Sequence, residues 1–375
     1  MLSPKIAILG GGQLGQMLIQ SAIDFNATIF VLDPDIDAPC KDISHQFTVG
    51  DLTDYTTVYN FGKQADVITI EIENVNTQAL EQLEKEGKKV FPQPHVIRTI
   101  QDKRTQKQFF ANHHIPTADF VLTDTRADLE KHIGFLPAFH KLGRAGYDGR
   151  GVAKINGAED IYKGFDQPSV LEKLVDIDKE ISVLVSRNEK GAVSVFPVVE
   201  MVFHPANNLL DYLICPTFLP TGIEKLAQEI AVNIIEKLEM VGLLAVEMFL
   251  TQSGNLLVNE LAPRPHNSGH HTIKANATSQ YEQHLRAILG LPFGSTATII
   301  PSAMINLLGE PGYNGIARFT GLDDALQTEG VNIHLYGKKF TKPHRKMGHI
   351  TIVDNDRTQL LEKLRFVKGQ LKVVA

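Results

Sequence analysis

The chain has 375 residues, 43% of them hydrophobic and 21% charged, with a formal net charge of −6. That length holds two or three domains and a sizeable core, while the acidic balance argues against a general nucleic-acid binder, which is usually basic. No apolar run approaches the roughly 20 residues of a membrane span, and the opening "MLSPK" runs straight into a strand-like segment, so a reducing, cytoplasmic setting without a membrane partner is expected.

From Lys5 to about Gln101, strand-like runs at 5–9, 28–32 and 67–71 alternate with helix-like stretches at 13–24, 54–64 and 76–86. This is the pattern of an α/β unit with a parallel sheet covered on both faces. The first crossover, "KIAILGGGQLGQM", sets Gly10, Gly12 and Gly15 in G-x-G-x-x-G spacing between an apolar run and a helix. Such glycines permit a tight turn, and the helix N-terminus offers N–H groups and a positive dipole end, so a phosphate or carboxylate is expected there. Asp33, closing the next apolar run, stands where a dinucleotide site keeps its ribose-binding acid. On this stretch a nicotinamide oxidoreductase and a βαβ substrate site both stay open. Cys40 and Cys215 form no C-x-x-C pair and are expected to be packed small apolar residues.

"PQPH" (Pro92 to His95) breaks the alternation, and a charged helix from about Lys103 to Asn112 leads into shorter elements through about Glu172. Within them, "HKLGRAGYDGRGVAK" packs four glycines between Lys141 and the strand-like Val152. Dense glycine lets backbone N–H groups approach a polyanion, with Lys141 and Arg150 adding positive charge; a phosphate lid and a surface hairpin both fit. No G-x-x-x-x-G-K-[ST] occurs, so a P-loop is unsupported. In "LEKLVDIDKE", an apolar strand with free backbone groups fits an adenine edge, and Glu180 fits ribose hydroxyls.

Strand-like runs at 180–187, 192–203, 243–250 and 255–261 then surround a long amphipathic helix, Gly222 to Leu238. In "AVEMFLTQSGNLLVNELAPR", a two-residue loop at Ser253 and Gly254 opposes positions whose numbers sum to 507, a condition Glu247 and Glu260 meet. Opposed carboxylates destabilise a sheet unless a cation lies between them, and magnesium, a hard ion taking carboxylate and phosphate oxygens, suits best. The alternative is a slipped register with one glutamate in solvent. "APRPHNSGHH" presents Arg264, His266, Asn267 and Ser268, groups suited to a small oxyanion; its histidines match no common zinc spacing. "YGKKFTKPHRKMGHI" gathers Lys338, Lys339, Lys342, Arg345 and Lys346, either a solvated face or a cap for a substrate phosphate. A final helix is expected near Arg357 to Val367.

"GGGQLGQM", "DKRTQK", "GYDGRG", "NELAPRPHNSGH" and "TSQYEQHLRAILGLPFG" together resemble the ATP-grasp enzymes, and within them the N5-carboxyaminoimidazole ribonucleotide synthetases, over nearly the whole chain. The resemblance implies mixed α/β and α+β architecture: a Rossmann-like substrate domain over 1–101, a small lid domain over 102–175 and a C-terminal α+β domain over 176–375. It implies ATP, magnesium and bicarbonate acting on 5-aminoimidazole ribonucleotide through carboxyphosphate, and a homodimer. Lys103, Lys141 and Gly146, Tyr147, Asp148, Gly149, Arg150, Gly151 and Val152 would meet ATP phosphates. Glu172, Lys173, Leu174 and Val175 would border the adenine, with Glu180, His204, Asn259 and Glu260 also on the nucleotide side. Glu247 and Glu260 would hold magnesium. Gly12, Gln13, Leu14, Glu73, Tyr147, Arg264, His266, Asn267 and Ser268 would bind the ribonucleotide, Lys338 and Arg345 its phosphate, and Asp148, Arg264, His266 and Lys141 would act in catalysis. The glycine turn would then serve a monophosphate substrate and not a dinucleotide.

Overall fold

The computed structural model describes residues 3–144, 151–204 and 209–375. Five parallel strands form the first sheet, in the order Gln46–Val49, Thr28–Asp33, Lys5–Leu9, Val67–Ile70 and Lys89–Val90. Lys5–Leu9 is apolar nearly throughout because it is covered on both faces: Ile6 and Ile8 enter one core with Met17 and Leu18, Ala7 and Leu9 another with Leu80 and Leu83. The chain runs outward from Lys5–Leu9 through two strands on one side, then returns to place Val67–Ile70 on the other. That reversal opens a crevice beyond the carboxyl ends of the two central strands, the usual ligand position in such sheets. The glycine turn and the Glu71–Glu73 segment both emerge there.

Helices start where the sequence supplies caps: Asp54 accepts from the Thr57 N–H at 2.7 Å and Asn76 from the Ala79 N–H at 2.9 Å. "PQPH" is not an interruption, because the helix Pro94–Gln101 begins inside it with proline at its first turn, where no intrahelical N–H is needed. Asp102 ends that helix and caps the next, Lys103–Asn112, accepting from the Arg104 N–H at 2.9 Å. Lys103 therefore sits at a corner between two helices.

A small antiparallel sheet follows, ordered Phe120–Thr123, Ser169–Lys173, Ala138–Leu142 and Val152–Ile155. The largest sheet is antiparallel and nine-stranded, running Leu256–Ala262, Gly242–Thr251, Ile177–Arg187, Val199–Phe203, Leu210–Cys215, Ser302–Leu308, Lys346–Val353 and Val331–Leu335, with Val193–Val195 beside Ile177–Arg187. The apolar run expected over 192–203 is thus two strands, parted where Pro197 has no N–H for a ladder. Ile181, Val183, Val246 and Met248 pack beneath Ala231, Ile234 and Ile235 of the helix Thr221–Lys237. By alternation, Glu180, Ser182 and Glu247 lie on the opposite face. Leu285 and Ile288 of the helix Gln280–Ile288 share a core with Met17 and Leu18, which ties the helix behind the glycine turn to the later part of the chain. Cys40 and Cys215 are both buried and unbridged.

Candidate active site

Glu247 and Glu260 oppose each other across the strands Gly242–Thr251 and Leu256–Ala262. The route to that pairing differs from the two-residue loop of the sequence reading. The Thr251 N–H bonds the Asn255 carbonyl at 2.9 Å across a three-residue loop, with Gly254 at φ +82°, and the first pairs are Leu250 with Leu256 and Met248 with Val258. A bulge at Asn259 then shifts the register by one residue, so that Asn259 and Glu260 together face Glu247. Loop and bulge each add one residue to the two-residue scheme, on opposite terms, and the glutamates meet.

Cations gather around this pair. Lys103 Nζ lies 2.7 Å from Glu260 Oε2, and Lys141 Nζ lies 3.4 Å from Asn259 Oδ1 and 2.5 Å from Glu172 Oε2. The other oxygen of Glu172 takes Lys107 Nζ at 2.5 Å, and that same ammonium meets Thr117 Oγ1, whose hydroxyl donates to the Val258 carbonyl at 2.7 Å. Burial, then Glu260 and Glu180, push the Glu247 carboxyl well above the usual range, while Lys103 holds Glu260 below it. Burial raises Glu180 to about 7, with Glu260 adding to the rise and Lys141 opposing it. Two carboxylates that cannot both keep their charge without a cation between them are suited to a divalent ion. Among the described residues no group of three or more His, Cys, Asp or Glu forms a ligand cluster, so an ion held by these two carboxylates would need water or phosphate oxygens at its other positions.

The glycine turn is already occupied by carboxylates of the chain itself. The Gly11 N–H donates to Asp33 Oδ2 at 2.6 Å and the Leu14 N–H to Glu71 Oε1 at 3.2 Å. A Cβ on Gly12 would lie 2.5 Å from Glu71 Oε1 and one on Gly10 2.8 Å from Glu71 Oε2, so a side chain at either would push that carboxylate aside, and Gly10, at φ +103°, also uses glycine's backbone freedom. Burial lifts Glu71 to about 7, despite the lowering influence of Arg264. A dinucleotide pyrophosphate would compete with both acids. Asp33 accordingly serves the turn and not a ribose.

Contacts from the later part of the chain complete the crevice. Arg264 Nη2 lies 2.9 Å from Glu73 Oε1, and Lys338 Nζ donates to Gln13 Oε1 at 2.9 Å. His266 Nε2 lies 3.5 Å from Glu247 Oε1 and its Nδ1 2.9 Å from Ser268 Oγ; burial, Arg264 and Lys346 lower its pKa to about 3, so it is neutral at pH 7. The residues expected on the nucleotide side and those expected on the ribonucleotide side therefore meet at Glu247 and His266.

Other expected residues stand differently. Lys173 turns away from Glu172, its Nζ bonding the Phe135 carbonyl at 2.9 Å, and the N–H groups of Lys173 and Leu174 go to the carbonyls of Asp119 and Pro137 at 2.8 and 3.3 Å. The strand edge read as free is thus partly used, and Glu172 spends its carboxylate on lysines; Val175 lies just beyond. Ser268 is buried against Ser182 Oγ at 2.9 Å, beside Asn267 at the start of a short 3-10 turn. Arg345 donates to the Phe340 carbonyl at 2.8 Å, and the His204 N–H bonds the Leu209 carbonyl at 2.9 Å. Gly151, at φ +72°, leads into Val152 opposite Lys141. Gly146, Tyr147, Asp148, Gly149 and Arg150 lie outside the described residues. Sequence reasoning passed over Lys107, whose signal is its position one helical turn after Lys103, and Glu71, whose signal is its place at the end of a central parallel strand.

Three family models match consecutive parts of the chain: the ribonucleotide synthetase preATP-grasp domain over 3–101, the ATP-grasp domain over 108–281 and the phosphoribosylaminoimidazole carboxylase C-terminal domain over 302–363. The chloroplastic phosphoribosylaminoimidazole carboxylase of Vigna aconitifolia is 38% identical over 96% of this chain, which spans 66% of that protein. The N5-carboxyaminoimidazole ribonucleotide synthase of Bacillus subtilis is 36% identical over 96% of this chain and 94% of its own length. Among solved structures, the N5-carboxyaminoimidazole ribonucleotide synthetase of Thermotoga maritima superposes with a TM-score of 0.92 at 42% identity, covering 99% of both chains. The Aspergillus clavatus synthase in complex with ADP and 5-aminoimidazole ribonucleotide gives 0.89 at 34%, covering 98% of each. With preATP-grasp, ATP-grasp and carboxylase C-terminal models matched in succession, and the Bacillus and Thermotoga relatives matched along nearly their entire length, the chain belongs to the N5-carboxyaminoimidazole ribonucleotide synthetases, ligases of ATP-grasp fold.

Proposed function

We propose that the chain carboxylates 5-aminoimidazole ribonucleotide to N5-carboxyaminoimidazole ribonucleotide, using ATP and bicarbonate and releasing ADP and phosphate. The observation that carries this reading is the opposed pair Glu247 and Glu260 with Lys103 and Lys141 beside it, next to a second crevice lined by Glu73, Arg264 and Lys338. The likeness to the Bacillus synthase and to the Aspergillus complex supports it.

Glu247 and Glu260 fit a magnesium ion, which when bound would neutralise charge on the triphosphate. Lys141 and Lys103 would hold the phosphates in line with bicarbonate, and Lys141 would offset charge building on the transferring phosphoryl group. Glu180 would take ribose hydroxyls, with the adenine near Leu174 and Val175. Carboxyphosphate hydrolyses readily in water, so Gly151 and the preceding glycine-rich segment would cover it. Arg264 would orient it and neutral His266 would hydrogen-bond it, while Lys338 and Arg345 would hold the 5′-phosphate of the ribonucleotide away from Glu71. We extend the proposal to a cytoplasmic homodimer, for which exposed Ile316 and Phe340, paired on one short ribbon, offer an apolar face. No helix of the described residues is long and apolar enough to cross a membrane.

A coupled assay of ADP release, run with and without 5-aminoimidazole ribonucleotide, tests the reading. Release is expected to depend on both the ribonucleotide and bicarbonate; release indifferent to the ribonucleotide would reject it.

A further inference from the structure

Glu172 is buried, its side chain 4% exposed, and both of its oxygens are taken by lysines at 2.5 Å. The two lysines are not equivalent. Lys107 is 4% exposed and closed off by Glu172 and Thr117, whereas Lys141 is 17% exposed and reaches Asn259 in the cleft. Of these two lysines, Lys141 is the one more open to a ligand there. Two ammonium groups and one carboxylate carry a net charge of +1. Without Lys107, the remaining pair of Lys141 and Glu172 would be neutral and mutually satisfied.

We propose that Lys107 is a positioning residue for the triphosphate, a buried counter-charge that satisfies Glu172 so that the charge of Lys141 stays available to the ligand. The inference rests on the nucleotide reading above. It explains why a cation is almost fully buried at the back of the cleft with its ammonium committed to Glu172 and Thr117, an arrangement whose desolvation cost needs a return. Burial alone would drive the Lys107 ammonium toward its neutral form, and Glu172 opposes that loss. Lys107 also reaches the strand Leu256–Ala262 through the chain from Thr117 Oγ1 to the Val258 carbonyl, one residue before the bulge that presents Asn259 and Glu260. Lys103 and Lys107 stand one turn apart on the same helix, which thus delivers one ammonium to Glu260 and one to the support of Lys141.

The test is a charge-balance series. Lys107→Met is expected to raise KM for ATP about tenfold or more, the scale of losing one charge-assisted contact, with KM for 5-aminoimidazole ribonucleotide within about twofold. Lys107→Arg, which keeps the cation, is expected to stay near wild type. The double variant Lys107→Met, Glu172→Gln leaves no charge competing for Lys141 and is expected to recover most of the lost affinity, which a merely structural role would not produce. Titration of the wild-type chain with a non-hydrolysable ATP analogue, which keeps the triphosphate, precedes the series. Absence of analogue binding overturns the nucleotide reading and this inference with it. Binding by wild type that is unchanged in Lys107→Met, or a double variant no better than the single one, overturns the role of Lys107 alone. Should Lys107→Met fail to fold, the double variant carries the test: folded with analogue binding near wild type supports the inference, folded without it refutes it.

Discussion

Glu260 faces Glu247 beside Asn259 because a single bulged residue lets two neighbours on one strand point to the same side of the sheet. Lys103 neutralises one member of the pair, and the other is left in want of a cation. Glu247→Gln and Glu260→Gln should therefore each lower magnesium-dependent kcat roughly a hundredfold or more, the loss of several kcal/mol of charge stabilisation. Circular dichroism should show both variants folded, since each replaces a crowded carboxylate with a neutral isostere.

The same pair predicts how magnesium affinity responds to pH. Glu247 holds its proton above the usual carboxylate range, and a divalent ion must expel that proton to bind. Magnesium titrations followed through ADP release should show weaker apparent affinity as pH falls below about 8, where Glu247 takes up its proton, with that contribution gone in Glu247→Gln.

At the glycine turn, Gly15 and Gly12 should respond differently to alanine. A Cβ on Gly15 meets Cys40 Sγ at 2.9 Å and the Gly10 carbonyl at 3.2 Å, so Gly15→Ala should cost about 1–3 kcal/mol of stability by overpacking. Gly12→Ala instead displaces the Glu71 carboxylate from the Leu14 N–H; KM for the ribonucleotide should rise, with a smaller fall in melting temperature than for Gly15→Ala. Thermal melts and substrate titrations of the two variants separate the effects.

Acid should destabilise the fold through its buried histidines. His266, His270, His271, His284 and His349 all have pKa values lowered by burial, so the unfolded chain binds protons that the folded chain refuses. Each such histidine removes up to about 1.4 kcal/mol of stability per pH unit below roughly 6.5. Glu71, Glu180 and Glu247, raised by burial, act in the opposite sense and only until the unfolded chain also protonates its glutamates, near 4.5. Stability should thus decline from pH 6.5 to 4.5 and more steeply below, as read from denaturant midpoints. A flat profile across that range would show that these rings are not buried neutral.

Much of the first sheet was legible because its strands are short apolar runs between capped helices: Lys5–Leu9, Thr28–Asp33 and Val67–Ile70 fall within a residue of their expected positions. Later strands were harder, since Ser302–Leu308 is placed by pairing with Leu210–Cys215 and Lys346–Val353 over long separations, which local pattern does not encode. Glu247 and Glu260 were found through arithmetic whose loop was one residue too short, a slip cancelled by a bulge that no alternation of side chains announces. Lys107 and Glu71 escaped because each looks like an ordinary charge on a helix or at a strand end. Their importance comes from being covered, and burial is a property of the assembled fold.

The measurement that bears most directly on the whole account is the fate of carbon-labelled bicarbonate in wild type and in Glu260→Gln. Wild type should transfer label to 5-aminoimidazole ribonucleotide in step with ADP release, and the variant should do neither. ADP released by wild type with no label on the ribonucleotide, or a variant that still couples the two at near wild-type rate, would contradict it.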